Sequence, residues 1–169
     1  MEVFEAIFNR RSIRRYSDQQ VDDKIVEKVI HAGMYAPSAA NKQPWHFIIF
    51  SEISTKEAIM AIHPHSAMLE HASKAVLVCF DEQLQHDKGY GAVDCSAATQ
   101  NILLSAYAYG LGACWVGIYP RQERMEALKE IFSLPSRITP FSIVALGYPL
   151  YPKDKPDRIM PERIHKEKW

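Results

Sequence analysis

The sequence predicts a mixed α/β fold, a sandwich in which helices cover a central sheet, and three observations lead there. The runs 46–50, 75–80, 113–118 and 141–146 are short, apolar and rich in β-branched or aromatic residues, the pattern of buried strands. The segments between them repeat apolar residues at helical spacing, so helices alternate with strands along the chain. The 169 residues are 47% hydrophobic, which suits one sizeable core and the length of a single domain, 1–169.

Taken in order, Val3, Phe4, Ile7 and Phe8 predict a short amphipathic helix that ends near the basic cluster at 9–15. A second helix fits 22–36. Asp22 can cap it, Ile25, Val26, Val29, Ile30 and Met34 form its apolar stripe, and Pro37 stops it because proline disfavours helix in the residue before it. A loop, 38–45, leads to the first strand. Helical spacing returns at 55–62, with a short piece at 67–72, and again at 93–109 and 122–132. The segment 93–109 is apolar around much of its circumference, so it needs cover on more than one side, either inside the domain or against a second copy. Gly110 marks its end and does not open a dinucleotide fingerprint, because the third glycine is missing and a strand follows. The tail, 148–169, carries Pro149, Pro152, Pro156 and Pro161 among many charges, a composition that builds no core of its own. Trp169 at the end of this charged arm points to an arm that lies across another surface.

Composition narrows the function classes. Twenty basic side chains balance twenty acidic ones, so no broad positive surface is expected for nucleic acid or anionic lipid. No apolar run approaches the length of a membrane span and no targeting signal is visible, so a cytoplasmic location is expected. Cys79, Cys95 and Cys114 are odd in number and far apart, which fits reduced thiols better than a disulfide framework or a zinc site. His63-Pro64-His65 lacks cysteine or carboxylate neighbours at ligand spacing, so a metal site is not expected there.

Two segments hold the candidate chemistry. Arg10, Ser12 and Arg14 alternate, so in extended chain they would share a face while Arg11, Ile13 and Arg15 point away. Two guanidinium forks and a hydroxyl suit a phosphate; equally, the arginines could merely complement the negative end of the preceding helix. The loop from Ala36 to Trp45 is small and polar, and Ser38, Asn41 and Gln43 offer groups able to read the edge of a flat heterocycle. A proline-punctuated turn that satisfies its own hydrogen bonds is the plainer reading.

Together these segments resemble the nitroreductase family, in which R-x-S-x-R and a P-S-x-x-N-x-Q-P-W loop both belong to an FMN site. Here they stand as Arg10-Arg11-Ser12-Ile13-Arg14 and Pro37-Ser38-Ala39-Ala40-Asn41-Lys42-Gln43-Pro44-Trp45, and the resemblance continues through 109–117 to Asp157-Arg158. It implies a three-layer sandwich with a mixed sheet of four to five strands and a C-terminal arm extended onto a partner subunit. It implies an FMN-dependent enzyme, a homodimer, that moves electrons from NADH or NADPH to nitroaromatics, quinones or similar small acceptors in a ping-pong cycle. Arg10, Ser12, Arg14 and Arg158 would hold the phosphate, with Arg11 contributing through its backbone. Pro37, Ser38, Ala39 and Asn41 of the other subunit would line the ring, and the backbone of Val116 and Gly117 would lie near N5. No catalytic side chain is expected, since the flavin carries the hydride. A specialised flavin dehydrogenase or dehalogenase, or a non-catalytic FMN-binding module, is the alternative on the same fold.

The chain departs from larger members where only 81–92 fills the gap before the long helix, so a more open or differently walled pocket is expected. Val116 stands where some members have an acidic residue, and Lys155 is the expected lysine beside the tail arginine.

Overall fold

The computed structural model describes residues 2–151 and 153–169; Met1 and Pro152, the latter one of the tail prolines, lie outside the described residues. Five helices, α1 (Val3–Asn9), α2 (Asp23–Met34), α3 (Ile53–Ile62), α4 (Tyr90–Ala108) and α5 (Gln122–Ile131), surround four strands, β1 (Trp45–Phe50), β2 (Lys74–Asp81), β3 (Gly112–Gly117) and β4 (Ile138–Gly147). Each expected strand and helix forms, most within a few residues of its expected bounds, except the piece at 67–72, which is only a 3-10 turn at Ala67–Leu69. The Asp22 carboxylate accepts from the Lys24 N–H at 2.7 Å and so caps α2 as the sequence predicts. Gly110, at φ 76°, closes α4: its N–H reaches Tyr107 and that of Leu111 reaches Ala106, which satisfies two terminal carbonyls.

The sheet has four strands in the order β1-β2-β4-β3, and every strand pairing is antiparallel, which corrects the expected mixed sheet. Among the described residues the one parallel pairing is the isolated bridge from Ser12 to Ala113, which lays the chain after α1 along the outer edge of β3. The helix between β1 and β2 does not make a parallel crossover, because α3 carries the chain away and 63–73 bring it back. Ala75, the second residue of β2, therefore pairs with Phe50 at the end of β1.

Strand alternation sorts the core into two layers. Val76, Val78 and Phe80 of β2, with Val144 and Leu146 of β4, pack with α2 and α4. Leu77, Cys79, Ile143, Ala145, Cys114 and Val116 face the other way, toward Ile59 of α3 and Leu128 of α5. The long helix α4 buries Cys95, Ala98, Ile102 and Ala106 on the sheet and α2, while Val93, Ala97, Gln100, Leu104 and Tyr107 form an opposite stripe that is only partly covered. Among the described residues, no helix is long and apolar enough to cross a membrane.

Candidate functional site

The chain turns out of α1 at Arg10, whose N–H still bonds to Ala6 at 3.0 Å, and becomes extended from Ser12. Ile13 is driven into the core against Gly112, where an added Cβ would lie 2.7 Å from the Ile13 Cγ2. This anchors the basic segment to the end of β3. Arg10 is half-buried, and burial, then the nearby charges of Arg158 and Arg11, lower its basicity. Arg10, Arg14 and Lys153 lie near enough to the Cys114 thiol for their charges to oppose the burial that pushes it up. Arg11 donates to the Asp154 carbonyl, and Lys153 donates to that of Ser12 at 3.0 Å.

Among the described residues, none of Arg10, Arg11, Arg14, Lys153 and Arg158 has a carboxylate within ion-pair distance, and the buried Arg10 Nε has no hydrogen-bond partner. A cavity of about 200 Å³ opens here, with Arg10, Arg11, Lys153, Leu103 and Tyr107 in its walls. Cations gathered without a counter-charge repel one another, so the arrangement favours entry of an anion. The strict alternation expected of this segment is not observed: Arg11 and Ile13 share the cavity walls with Arg10, whereas Ser12, Arg14 and Arg158 do not line it. The reason is local, since Arg10 is still the cap of α1 and alternation begins only where Ser12 meets β3.

The loop after α2 is held in an uncommon shape. Ala40, Asn41 and Gln43 have φ of 47°, 54° and 48°, a region that costs non-glycine residues of order 1–3 kcal/mol and that asparagine tolerates best. Two side-chain acceptors fix it: Ser38 Oγ receives the Gln43 N–H at 2.9 Å, and Asp94 Oδ1 on α4 receives the Ala39 N–H at 3.0 Å. Pro37 and Asn41 remain exposed. The Ser38 hydroxyl oxygen thus serves the loop itself, as the plainer reading of this segment anticipates, while its proton stays available. Asp94 is buried with its Oδ2 unpartnered.

The third piece is the end of β3. Val116 is buried, but Gly117 is exposed and an added Cβ there would meet nothing within 4 Å, so a flat group can approach the backbone closely. The Gly117 carbonyl accepts from His63 Nε2 at 2.9 Å and from an Arg124 guanidinium nitrogen at 3.0 Å. Within one chain the loop meets α4 at Asp94 and the basic cavity meets it at Leu103, nine residues or roughly 14 Å further along the helix axis.

The profile of the Nitroreductase family matches residues 7–92 and 65–148, a span that takes in the basic segment, the loop and the end of β3. The chain belongs to the nitroreductase family. A protein of Methanothermobacter thermautotrophicus, provisionally named an NADH dehydrogenase/NAD(P)H nitroreductase, is 44% identical over 169 residues, covering 100% of this chain and 88% of that one. A crystal structure from Parabacteroides distasonis with the same provisional name superposes with a TM-score of 0.95 at 35% identity, covering 99% of this chain and 98% of that one. A structure from Desulfovibrio desulfuricans, a provisionally named nitroreductase in complex with FMN, has a TM-score of 0.87 at 29% identity and covers 100% of this chain and 98% of that one.

Within this nitroreductase fold, three contacts lie beyond sequence reading. Asp94 reaches the loop from a helix 55 positions away in sequence, and nothing local to α4 announces it. Lys153, not Lys155, meets the basic segment; the Lys155 ammonium sits 5.1 Å from the centre of the Phe8 ring instead. His63 reaches the Gly117 carbonyl across 54 positions. Its proline-flanked turn was the one visible signal.

Proposed function

We propose that the protein is an FMN-dependent oxidoreductase that takes electrons from NADH or NADPH and passes them to nitroaromatics, quinones or similar small acceptors in a ping-pong cycle, as a cytoplasmic homodimer. The observation that carries this reading is the group of five cations, Arg10, Arg11, Arg14, Lys153 and Arg158, with no carboxylate partner among the described residues and with a buried, unpartnered Arg10 Nε. A phosphate monoester supplies the missing charge and the missing acceptor at once.

The fit extends to the rest of the cofactor. Arg10, Ser12, Arg14 and Arg158 hold the phosphate, Arg11 ties the arm to this segment through the Asp154 carbonyl, and Lys153 adds charge. The open face of Gly117 admits the ring, with the backbone of Val116 and Gly117 beside N5. Pro37, Ser38, Ala39 and Asn41 of the partner line its other edge, as the resemblance to the family implies. When bound, FMN supplies the two-electron chemistry that no side chain here supplies. The chain's own contribution is to bind the phosphate, fix the ring and present backbone donors where electron density rises on reduction. A cavity of about 300 Å³ next to the short 81–92 segment, with Phe80, Tyr119, Glu82, Lys88 and Glu126 in its walls, is large enough for a small polar acceptor.

The three cysteines are free and buried, which supports a reducing compartment. Exposed Val3, Phe4, Ile7 and Phe8 on α1, the α4 stripe, and Ile159, Ile164 and Trp169 on the arm support a second copy. The test is direct. Purified protein should be a yellow dimer whose absorbance bleaches with NADH or NADPH and recovers when a nitroaromatic or quinone is added. A yellow protein inert to both nicotinamides would favour a flavin-binding module, and a colourless monomer that takes up no FMN would end the reading.

A further inference from the structure

We infer that His63 and Arg124 are positioning residues that clamp the Gly117 peptide and so hold the end of β3 in the orientation the flavin ring requires. The inference rests on the proposed place of FMN against Gly117.

A carbonyl oxygen has two lone pairs, and at Gly117 each is taken by a side chain from a different element. His63 arrives from the turn after α3 and Arg124 from the first turns of α5. A single donor would satisfy this oxygen. Instead it engages an imidazole that is 3% exposed and a guanidinium without a carboxylate partner among the described residues. That is more than hydrogen-bond satisfaction demands.

The imidazole is itself fixed. Its Nδ1 accepts the His65 N–H at 3.1 Å, which leaves the proton on Nε2, the atom that faces Gly117. The turn that carries it is closed by the Ser66 hydroxyl, fully buried, donating to the His63 carbonyl at 2.7 Å. His63 therefore has one tautomer and one orientation, and Arg124 adds a charge-assisted bond to the same oxygen.

Glycine is the residue whose flanking peptides turn most freely, and the open space that admits a flat ring also removes any side chain that would steady the strand end. The clamp restores that rigidity from the side away from the ring. It also sets the Arg124 charge one peptide from the ring, where it favours the electron-rich reduced form over the oxidised form.

The experiment compares wild-type holoprotein with Arg124→Ala, Arg124→Lys, His63→Gln and His63→Phe. It measures the affinity of oxidised FMN, the midpoint potential of the bound flavin and the melting temperature of the flavin-free chain. Arg124→Ala should lower the preference for reduced over oxidised FMN about tenfold, equivalent to about 30 mV for a two-electron couple, with little change in melting temperature. Arg124→Lys and His63→Gln, which keep a donor, should stay within about threefold of wild type, and His63→Phe, which loosens the peptide but leaves the Arg124 charge, should shift the preference in the same direction by less than Arg124→Ala. Arg124 is only half-buried, so its variants remain informative if those of His63 do not fold. An Arg124→Ala protein that binds and reduces FMN with wild-type affinity and potential overturns the clamp while leaving the proposed function standing. Failure of the wild type to bind FMN overturns both.

Discussion

Arg158 lies close enough to Arg10 to lower its basicity, so in the flavin-free protein it contributes repulsion, and with the FMN phosphate bound as proposed it would contribute attraction. Those two effects have opposite signs in one substitution. Arg158→Ala should leave the flavin-free melting temperature unchanged or raise it slightly, and should weaken FMN binding by roughly 10–100-fold, the worth of about 1.5–3 kcal/mol for a hydrogen bond to a charged group. Thermal melts with and without FMN read both numbers; a variant that loses stability but keeps FMN would show Arg158 to be a structural residue. Asp94 tests the loop in the same way. Asp94→Ala strands the Ala39 N–H and releases a segment with three left-handed residues, and should cost about 1–3 kcal/mol in denaturant unfolding together with a loss of FMN affinity. Asp94→Asn keeps an acceptor and should retain most of both.

The element that ends β2 carries the pH dependence. Burial alone would push the Asp81 carboxyl up, but the Gln83 N–H at 2.8 Å and the Arg137 guanidinium at 2.8 Å together hold it below the usual carboxylate range. A carboxyl depressed by folding adds stability that is present above its unfolded value, near 4, and is lost as pH falls through its lower folded value. Arg137 is half exposed, so the contribution is screened to about 1 kcal/mol. Arg137→Ala should therefore destabilise the protein at pH 7 by about that amount, and by progressively less as the pH falls through the lowered folded value of the Asp81 carboxyl; a loss that does not shrink as the pH falls would contradict this account. Elements of this kind were largely legible in the sequence, because β-branched runs such as 75–80 and the capped stripe of α2 encode themselves locally. The start of α4 was read late, at 93 and not at Tyr90, because Gly89 at φ 98° offers no side-chain cap to mark it. The site was legible as segments and illegible as contacts. Arg10, Ser38 and Gly117 stand in recognisable motifs, whereas Asp94 to Ala39 and His63 to Gly117 are bonds across more than fifty residues that only folding creates.

For the whole molecule, the decisive quantity is apolar surface that one copy leaves uncovered. A seven-residue helix has too few hydrogen bonds to persist alone, yet α1 exposes Phe4 at 66% and buries only Ala6. The arm is no better covered, with Ile159 at 84% and Trp169 fully exposed, and the partly open stripe of α4 repeats every three to four residues from Val93 to Tyr107. One partner surface would bury all three, and a second copy supplies all three in return, as a two-fold dimer requires. If the arm belongs to that interface, a chain ending at Arg158 keeps its phosphate-side cations but loses Ile159, Ile164 and Trp169. Each is worth about 1.5–3 kcal/mol when its side chain is fully buried. The truncated chain should then dissociate at protein concentrations at least 100-fold above those at which the full chain does, and should release FMN in step with dissociation, since the loop and the cation cavity would come from different copies. Sedimentation velocity followed at flavin and protein wavelengths reads both events. A truncated chain that stays dimeric and yellow would remove the arm from the interface, and one that becomes monomeric yet keeps FMN would show that a single copy holds the whole site.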